Sequence, residues 1–394
     1  MLPFATTLSG HIAEPSTASP VEIRGALDLE VTDAGIRPRR LPAWTRAQYP
    51  DQGMDDVAAQ PSGVRLAFRT RATTLELGVL TSSNCLAGEQ PLPALFDLVL
   101  DEQFTVRLTA PRGTVTYVDP DKLIESREPG SPGRITFADL PSDLKEVEIW
   151  LPQHTSVELT GLWSDAEILP PTPADRPRWL HHGSSISHCF EADGPTGTWP
   201  AVAAALGHVD LLNLALAGNA MLDPYTARAI RDQPADLISI KLGINIVNAA
   251  AMRLRTFGPA VHGFLDMIRD GHPDTPLLLI SPIICPIVED TPGPTGIPPG
   301  DESGRFVAYG DPADVAQGAL TLQVIRELLA EIAATRAESD PNLHYLDGRE
   351  LFGERDLHHL PDALHPDAIG YRRMGARFAE IAFAPGGIFE KSRT

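Results

Sequence analysis

The chain has 394 residues, which at roughly 150 residues per domain implies two or three domains. Its 43% hydrophobic content is enough for sizeable cores. A mean hydropathy of −0.08, with no run near the roughly 18 apolar residues that cross a bilayer, excludes a membrane-embedded protein. The net charge of −20 comes from 52 acidic and 32 basic side chains scattered along the chain. Nucleic acid and anionic membrane are therefore excluded as main partners, because phosphate binding needs local positive potential.

Met1–Leu8 has neither a basic segment nor a long apolar one, so no secretory signal is expected there. Cys85, Cys189 and Cys285 are odd in number and far apart. Reduced thiols and a cytoplasmic location are the expectation.

Up to about residue 165, apolar and polar residues alternate in short runs. Val64, Leu66 and Phe68 open the series, followed by Leu75–Val79, Phe96–Leu100, Phe104–Leu108, Arg134–Phe137, Val147–Leu151 and Val157–Trp163. Period two predicts strands with one face on a core. Without strong helical stretches between them, the segment reads as an all-β, antiparallel sandwich of jelly-roll type over 1–168. A stiff Pro-rich linker follows over 169–177.

From 178 to 394 the period changes. Trp179–Gly183, His208–Ala217, Leu237–Leu242, Pro276–Pro282 and His344–Asp347 read as strands, several continuously apolar, as in a parallel sheet buried on both faces. Phe257, Val261, Phe264, Leu265 and Ile268 share one helical face. Asp311-Pro312 reads as an N-cap and first turn leading into Leu320, Val324, Leu328 and Ile332. This alternation predicts a three-layer α/β/α domain whose site lies at the carboxyl ends of its strands. The Pro- and Gly-rich stretch Pro282–Asp301 leaves a strand end and should overhang that site.

Short stretches at those strand ends carry the chemistry. Gly183-Ser184-Ser185-Ile186-Ser187 sets a serine on a tight turn. Leu216-Ala217-Gly218-Asn219 offers an unhindered backbone N–H. Leu242-Gly243-Ile244-Asn245 ends in a side-chain amide able to donate to an oxyanion. Asp362-Ala363-Leu364-His365-Pro366 places a carboxylate three residues before an imidazole. Each is ordinary alone; together they set Ser, Gly, Asn and His, in that order, where an open α/β sheet binds ligands.

The blocks resemble the SGNH (GDSL-type) hydrolase family from about 177 to 383. The resemblance implies Ser185 as nucleophile, His365 as general base oriented by Asp362, and the Ser185 N–H, Gly218 and Asn245 as oxyanion donors. Two acids usual in the family are replaced, by Ser184 and by Ile246. Ser184 is thus a neighbouring hydroxyl, and the motif register selects Ser185.

With its sandwich, the whole arrangement is similar to two-domain esterases related to carbohydrate deacetylases. It is closer still to acyltransferases that place salicylyl groups on tetracycline-type polyketides. The expected reaction passes an acyl group from a small ester or acyl-CoA, as co-substrate, to an alcohol of a polyketide or sugar, or to water; the triad serves both acceptors. A carbohydrate acetyl esterase is the alternative, and a non-catalytic carbohydrate-binding protein a more distant one.

No resident cofactor or metal is expected. No P-loop or dinucleotide fingerprint is present, and neither His358, His359, Asp362 and His365 nor His181, His182 and His188 have a spacing that fixes a zinc site. Trp44, Trp150, Trp163, Trp179 and Trp199 read as core and interface anchors rather than a sugar platform. The sandwich is expected to wall the acyl or acceptor pocket.

Overall fold

The computed structural model describes residues 4–6, 19–119, 124–173 and 175–391. Its contacts divide into two compact units, Met1–Asp175 with Gly194–Thr196, and Arg176–Asp193 with Gly197–Thr394.

Among the described residues the first unit holds an eight-stranded and a six-stranded sheet. The larger is centred on Leu75–Leu86 and Ser156–Ser164, the smaller on Arg65–Thr70 and Lys145–Trp150. Leu77, Val157 and Leu159 from one sheet and Leu66, Phe68, Phe96 and Ile149 from the other form one buried cluster. Alternating apolar residues thus close a sandwich core. Pairing is antiparallel except between Leu75–Leu86 and Thr114–Asp119, which run parallel. The sequence reading missed two short helices, Ala43–Gln48 and Gln52–Ala59. The second is capped by Asp51, whose side chain accepts from the Met54 N–H.

The second unit is a five-stranded sheet of β1 (Arg178–His182), β2 (Asp210–Asn213), β3 (Leu237–Lys241), β4 (Leu277–Ile280) and β5 (Leu343–Leu346). The order is β2-β1-β3-β4-β5 and every pairing is parallel. This is a doubly wound sheet whose order reverses between β1 and β3, where such folds bind ligands. Beneath it, the buried Trp179 stacks on Phe378 at 5.0 Å and packs against Trp199 at 6.1 Å. Both tryptophans, and the buried Trp150 of the sandwich, are core. The predicted face Phe257, Val261, Phe264, Leu265 and Ile268 is buried along the helix Leu254–Arg269.

Two predicted elements are shorter than their apolar runs. His208 caps the preceding helix Trp199–Gly207 in a left-handed conformation, so β2 starts only at Asp210. After Asn213 the chain follows β1 as irregular backbone, through Leu214 N–H to His181 O and Leu216 N–H to Gly183 O. Asp311-Pro312 opens a separate 3₁₀ turn, Pro312–Gln317, stopped by Gly318 at φ +90°. The following helix, Leu322–Ala337, starts afresh from a Thr321 cap. Its buried stripe is Leu322, Ile325, Leu329 and Ile332, rotated from the predicted face.

Candidate active site

After β1 the chain turns at Gly183 into α1 (Ser185–His188). A Cβ at Gly183 would stand 2.5 Å from the Ser187 hydroxyl oxygen, so the turn excludes any side chain there. Ser184 is the N-cap: its hydroxyl accepts from the Ile186 N–H at 3.3 Å, and the residue is buried. This engages Ser184 structurally.

Below α1 lies a chain of buried polar contacts. His181 Nε2 meets Ser187 Oγ at 2.9 Å, and its Nδ1 meets Ser239 Oγ at 2.8 Å. Asn213 Nδ2 donates to Ser187 O at 3.2 Å. These groups fix the turn that presents the next hydroxyl.

That hydroxyl, Ser185 Oγ, lies 2.9 Å from His365 Nε2. On the other side of the ring, Nδ1 lies 2.7 Å from Asp362 Oδ2. Asp362 Oδ1 accepts from the N–H groups of Leu364 and His365, at 2.9 and 2.7 Å. This tight loop, with Ala363 at φ +71°, lets one carboxylate hold both ring and backbone. The helix that follows, α2 (Ala368–Phe378), is capped by Asp367, whose side chain accepts from the Gly370 N–H. Asp367 also engages His359 Nδ1 at 2.9 Å.

Burial pushes the His365 pKa down. The Asp362 hydrogen bond and the charges of Glu191 and Asp362 outweigh it, and the net shift is upward. Burial likewise opposes the Asp362 charge, but its bonds to His365 and Leu364 hold its pKa below the usual carboxylate range.

Gly218 follows β2 at φ +71°, a left-handed conformation that suits glycine, and its α-carbon faces open space. Asn245 sits in the short helix Ile244–Asn248 after β3. Its Oδ1 accepts from the Ala220 N–H at 3.1 Å, which orients the amide and leaves Nδ2 as a donor. Ser185, Gly218, Asn245, Asp362 and His365 therefore all follow carboxyl ends of the parallel strands.

The excursion after β4 reaches the same place. It is clamped from within, as the buried Arg326 donates to Pro282 O, Ile283 O and both oxygens of Glu289. Cys285 Sγ lies 3.5 Å from Ala363 O. The Phe306 N–H donates to Asp362 O at 2.9 Å, and its ring meets the His365 ring edge-on at 5.9 Å.

Among the described residues, one group of donor atoms lies close enough to share a cation: Glu191, Asp362 and His365, within 4.8 Å. His365 Nδ1 in this group already lies at hydrogen-bond distance, 2.7 Å, from Asp362 Oδ2. The two histidine clusters considered from sequence do not assemble as metal groups among the described residues. His181 and His182 are engaged by Ser187, Ser239 and Leu214 O, and His359 by Asp367. Cys85, Cys189 and Cys285 are all free thiols. Glu191, Phe306 and Tyr371 belong to no motif and were not found from sequence. Only the fold brings them to the histidine.

Residues 182–373 match the model of the GDSL-like lipase/acylhydrolase family, and residues 21–159 that of the SsfX3 N-terminal domain. The α/β domain belongs to the GDSL-like lipase/acylhydrolase family. The chain as a whole is similar to the solved salicylyl-acyltransferase SsfX3 from a tetracycline biosynthetic pathway. Identity is 28% and the TM-score 0.75, over 92% of this chain and 94% of that one. Family two carbohydrate esterases share the fold. The one from Cellvibrio japonicus is 13% identical with a TM-score of 0.55, over 96% of this chain and 95% of that one. The one from Clostridium thermocellum, in complex with cellohexaose, is 12% identical with a TM-score of 0.52, over 81% and 91%. No curated protein matches the chain. Among the described residues no helix is long and apolar enough to cross a membrane.

Proposed function

We propose that the GDSL-like domain is a serine acyl-transfer enzyme working through a Ser185 acyl-enzyme. The observation that carries this reading is the 2.9 Å contact between Ser185 Oγ and His365 Nε2, backed by Asp362 on Nδ1. As Oγ attacks an ester or thioester carbonyl, its proton passes to Nε2. The carbonyl oxygen takes up the electron pair as an oxyanion. The N–H groups of Ser185 and Gly218 and the Asn245 amide receive it. Collapse expels the alcohol or thiol, which leaves with the proton from Nε2. In the second half, His365 takes the proton of an acceptor hydroxyl, whose oxygen attacks the acyl-enzyme and frees Ser185. Asp362 holds the Nδ1–H tautomer and stabilises the imidazolium throughout.

The acyl donor in this reading is a small ester or acyl-CoA, and the preferred acceptor an alcohol, with water competing. Similarity over both domains to a salicylyl-acyltransferase favours a polyketide hydroxyl over a sugar. No step requires a resident cofactor, metal, nucleic acid or membrane. The free thiols fit a cytoplasmic enzyme.

The test is intact-mass spectrometry after incubation with a panel of acyl-CoAs and aryl esters. A covalent adduct on wild type, absent from Ser185→Ala and discharged by added alcohols faster than by water, is the expected result. No adduct from any donor, or an adduct that persists in Ser185→Ala, would overturn the reading.

A further inference from the structure

Asp362 is not the only carboxylate beside the triad histidine. Glu191 Oε1 lies 3.7 Å from the same Nδ1, too far for a hydrogen bond but close enough to act on charge. It comes from a different element, the chain leaving α1, so the segment that carries the nucleophile also carries a second acid to the base.

We propose that Glu191 is a positioning residue for His365, a second carboxylate that shares with Asp362 the stabilisation of the imidazolium and takes over Nδ1–H when Asp362 is lost. The inference rests on the acyl-enzyme reading above.

The position of Glu191 is built rather than incidental. Cys189 ends α1 in a left-handed conformation, with its N–H on Ser185 O and its thiol 3.3 Å from Ile186 O, and so redirects the chain toward the histidine. Tyr371, fully buried in α2, donates its hydroxyl to Glu191 Oε2 at 2.8 Å. Two residues further on, Asp193 pairs with Arg372 of the same helix. Helix α2 thus grips this strand of chain at two points, and one carboxylate oxygen is left facing the ring.

Glu191 is about one-third exposed, so its carboxylate is open to water on one side. Burial holds the neighbouring Tyr371, Cys189 and Cys285 in their protonated, uncharged forms. The field on His365 is therefore that of two acids, and Glu191 contributes to raising its pKa.

The test compares wild type, Glu191→Gln, Asp362→Ala and the double variant on p-nitrophenyl acetate. The pH dependence of kcat/KM and the His365 ring titration by NMR are both recorded. Glutamine keeps the shape and can still accept from Tyr371, so only the charge is removed. Alanine is used at position 362 because asparagine would donate to Nδ1 and hold the wrong tautomer.

Glu191→Gln is expected to move the acid limb and the NMR midpoint to lower pH. The double variant should fall at least ~10-fold below the product of the two single losses, as for coupled residues. An unmoved limb and midpoint in Glu191→Gln would overturn the proposal, as would losses that simply multiply. Tyr371→Phe gives a second variant that leaves the Asp362 loop untouched and should lower the midpoint in the same direction. Ser185→Ala is the control for the underlying reading. Turnover surviving there would remove the acyl-enzyme mechanism, while the NMR titration would still report on Glu191.

Discussion

Ser185 and His365 are 180 residues apart in the chain, and their side chains meet at 2.9 Å. The fold makes this contact by ending β1 beneath one and β5 before the other, on a sheet whose order brings such ends to one edge. Neither residue is distinctive locally; the pairing is a property of the topology.

The adjacent hydroxyls should therefore separate cleanly. Ser185→Ala is expected to abolish turnover of p-nitrophenyl acetate. Ser184→Ala should keep most of it and lose about 1 kcal/mol of stability, since only an N-cap is removed. Stopped-flow bursts and thermal melts of the two variants check this. The opposite pattern would shift the nucleophile by one residue.

Activity should fall on the acid side at a pH above that expected of an ordinary histidine. His365 must be neutral to accept the serine proton, and its pKa is raised despite burial by Asp362 and Glu191. kcat/KM then declines as pH drops through a midpoint above about 6.5. The stability linkage has the matching sign. The folded state binds this proton more tightly, so the contribution is fully present below about 6.5 and is lost as pH rises through the folded value. For Asp362, held low, the contribution is present above about 3.9 and lost on acidification. A pH–rate profile with its half-point below 6.5 would contradict the described electrostatics.

Much of this was legible beforehand, for physical reasons. Continuous apolar runs such as Leu277–Ile280 mark strands buried on both faces, and the turn residues after the strands mark a ligand-binding edge. The sandwich strands declared themselves by period two. What escaped depended on contacts distant in sequence. Glu191 lies outside any motif and becomes significant only because Cys189 turns the chain and Tyr371 holds it. The helices at 43–59 are short and pack without a long apolar period. The run after His208 was over-read as strand because buried irregular backbone beside β1 is as apolar as a strand.

Asn245 should act on turnover rather than binding. Its Oδ1 is fixed by the Ala220 N–H, so its Nδ2 is oriented before substrate arrives. Asn245→Ala is expected to lower kcat by about 10²–10³ with little change in KM. Gly218→Ala should cost about 1–2 kcal/mol of stability through the left-handed φ alone. Steady-state kinetics and denaturant unfolding measure both. A change confined to KM in Asn245→Ala would remove the amide from the oxyanion site.

Lys241, at the end of β3, carries an amine with no hydrogen-bond partner among the described residues and is almost fully buried. Burial first, and the nearby Arg326 charge second, pull its pKa down to about 7. In the unfolded chain it titrates near 10.4. Between these values the unfolded state holds a proton that the folded state lacks, so wild-type stability rises with pH across that window. Lys241→Met keeps the length of the side chain and removes the titration. It should raise the melting temperature most at and below neutral pH, with the gain shrinking toward pH 10. Melts of both proteins at pH 7 and pH 10 make the comparison. Equal melting temperatures at pH 7, or a gain that grows with pH, would mean that the amine is solvated or paired in the folded protein.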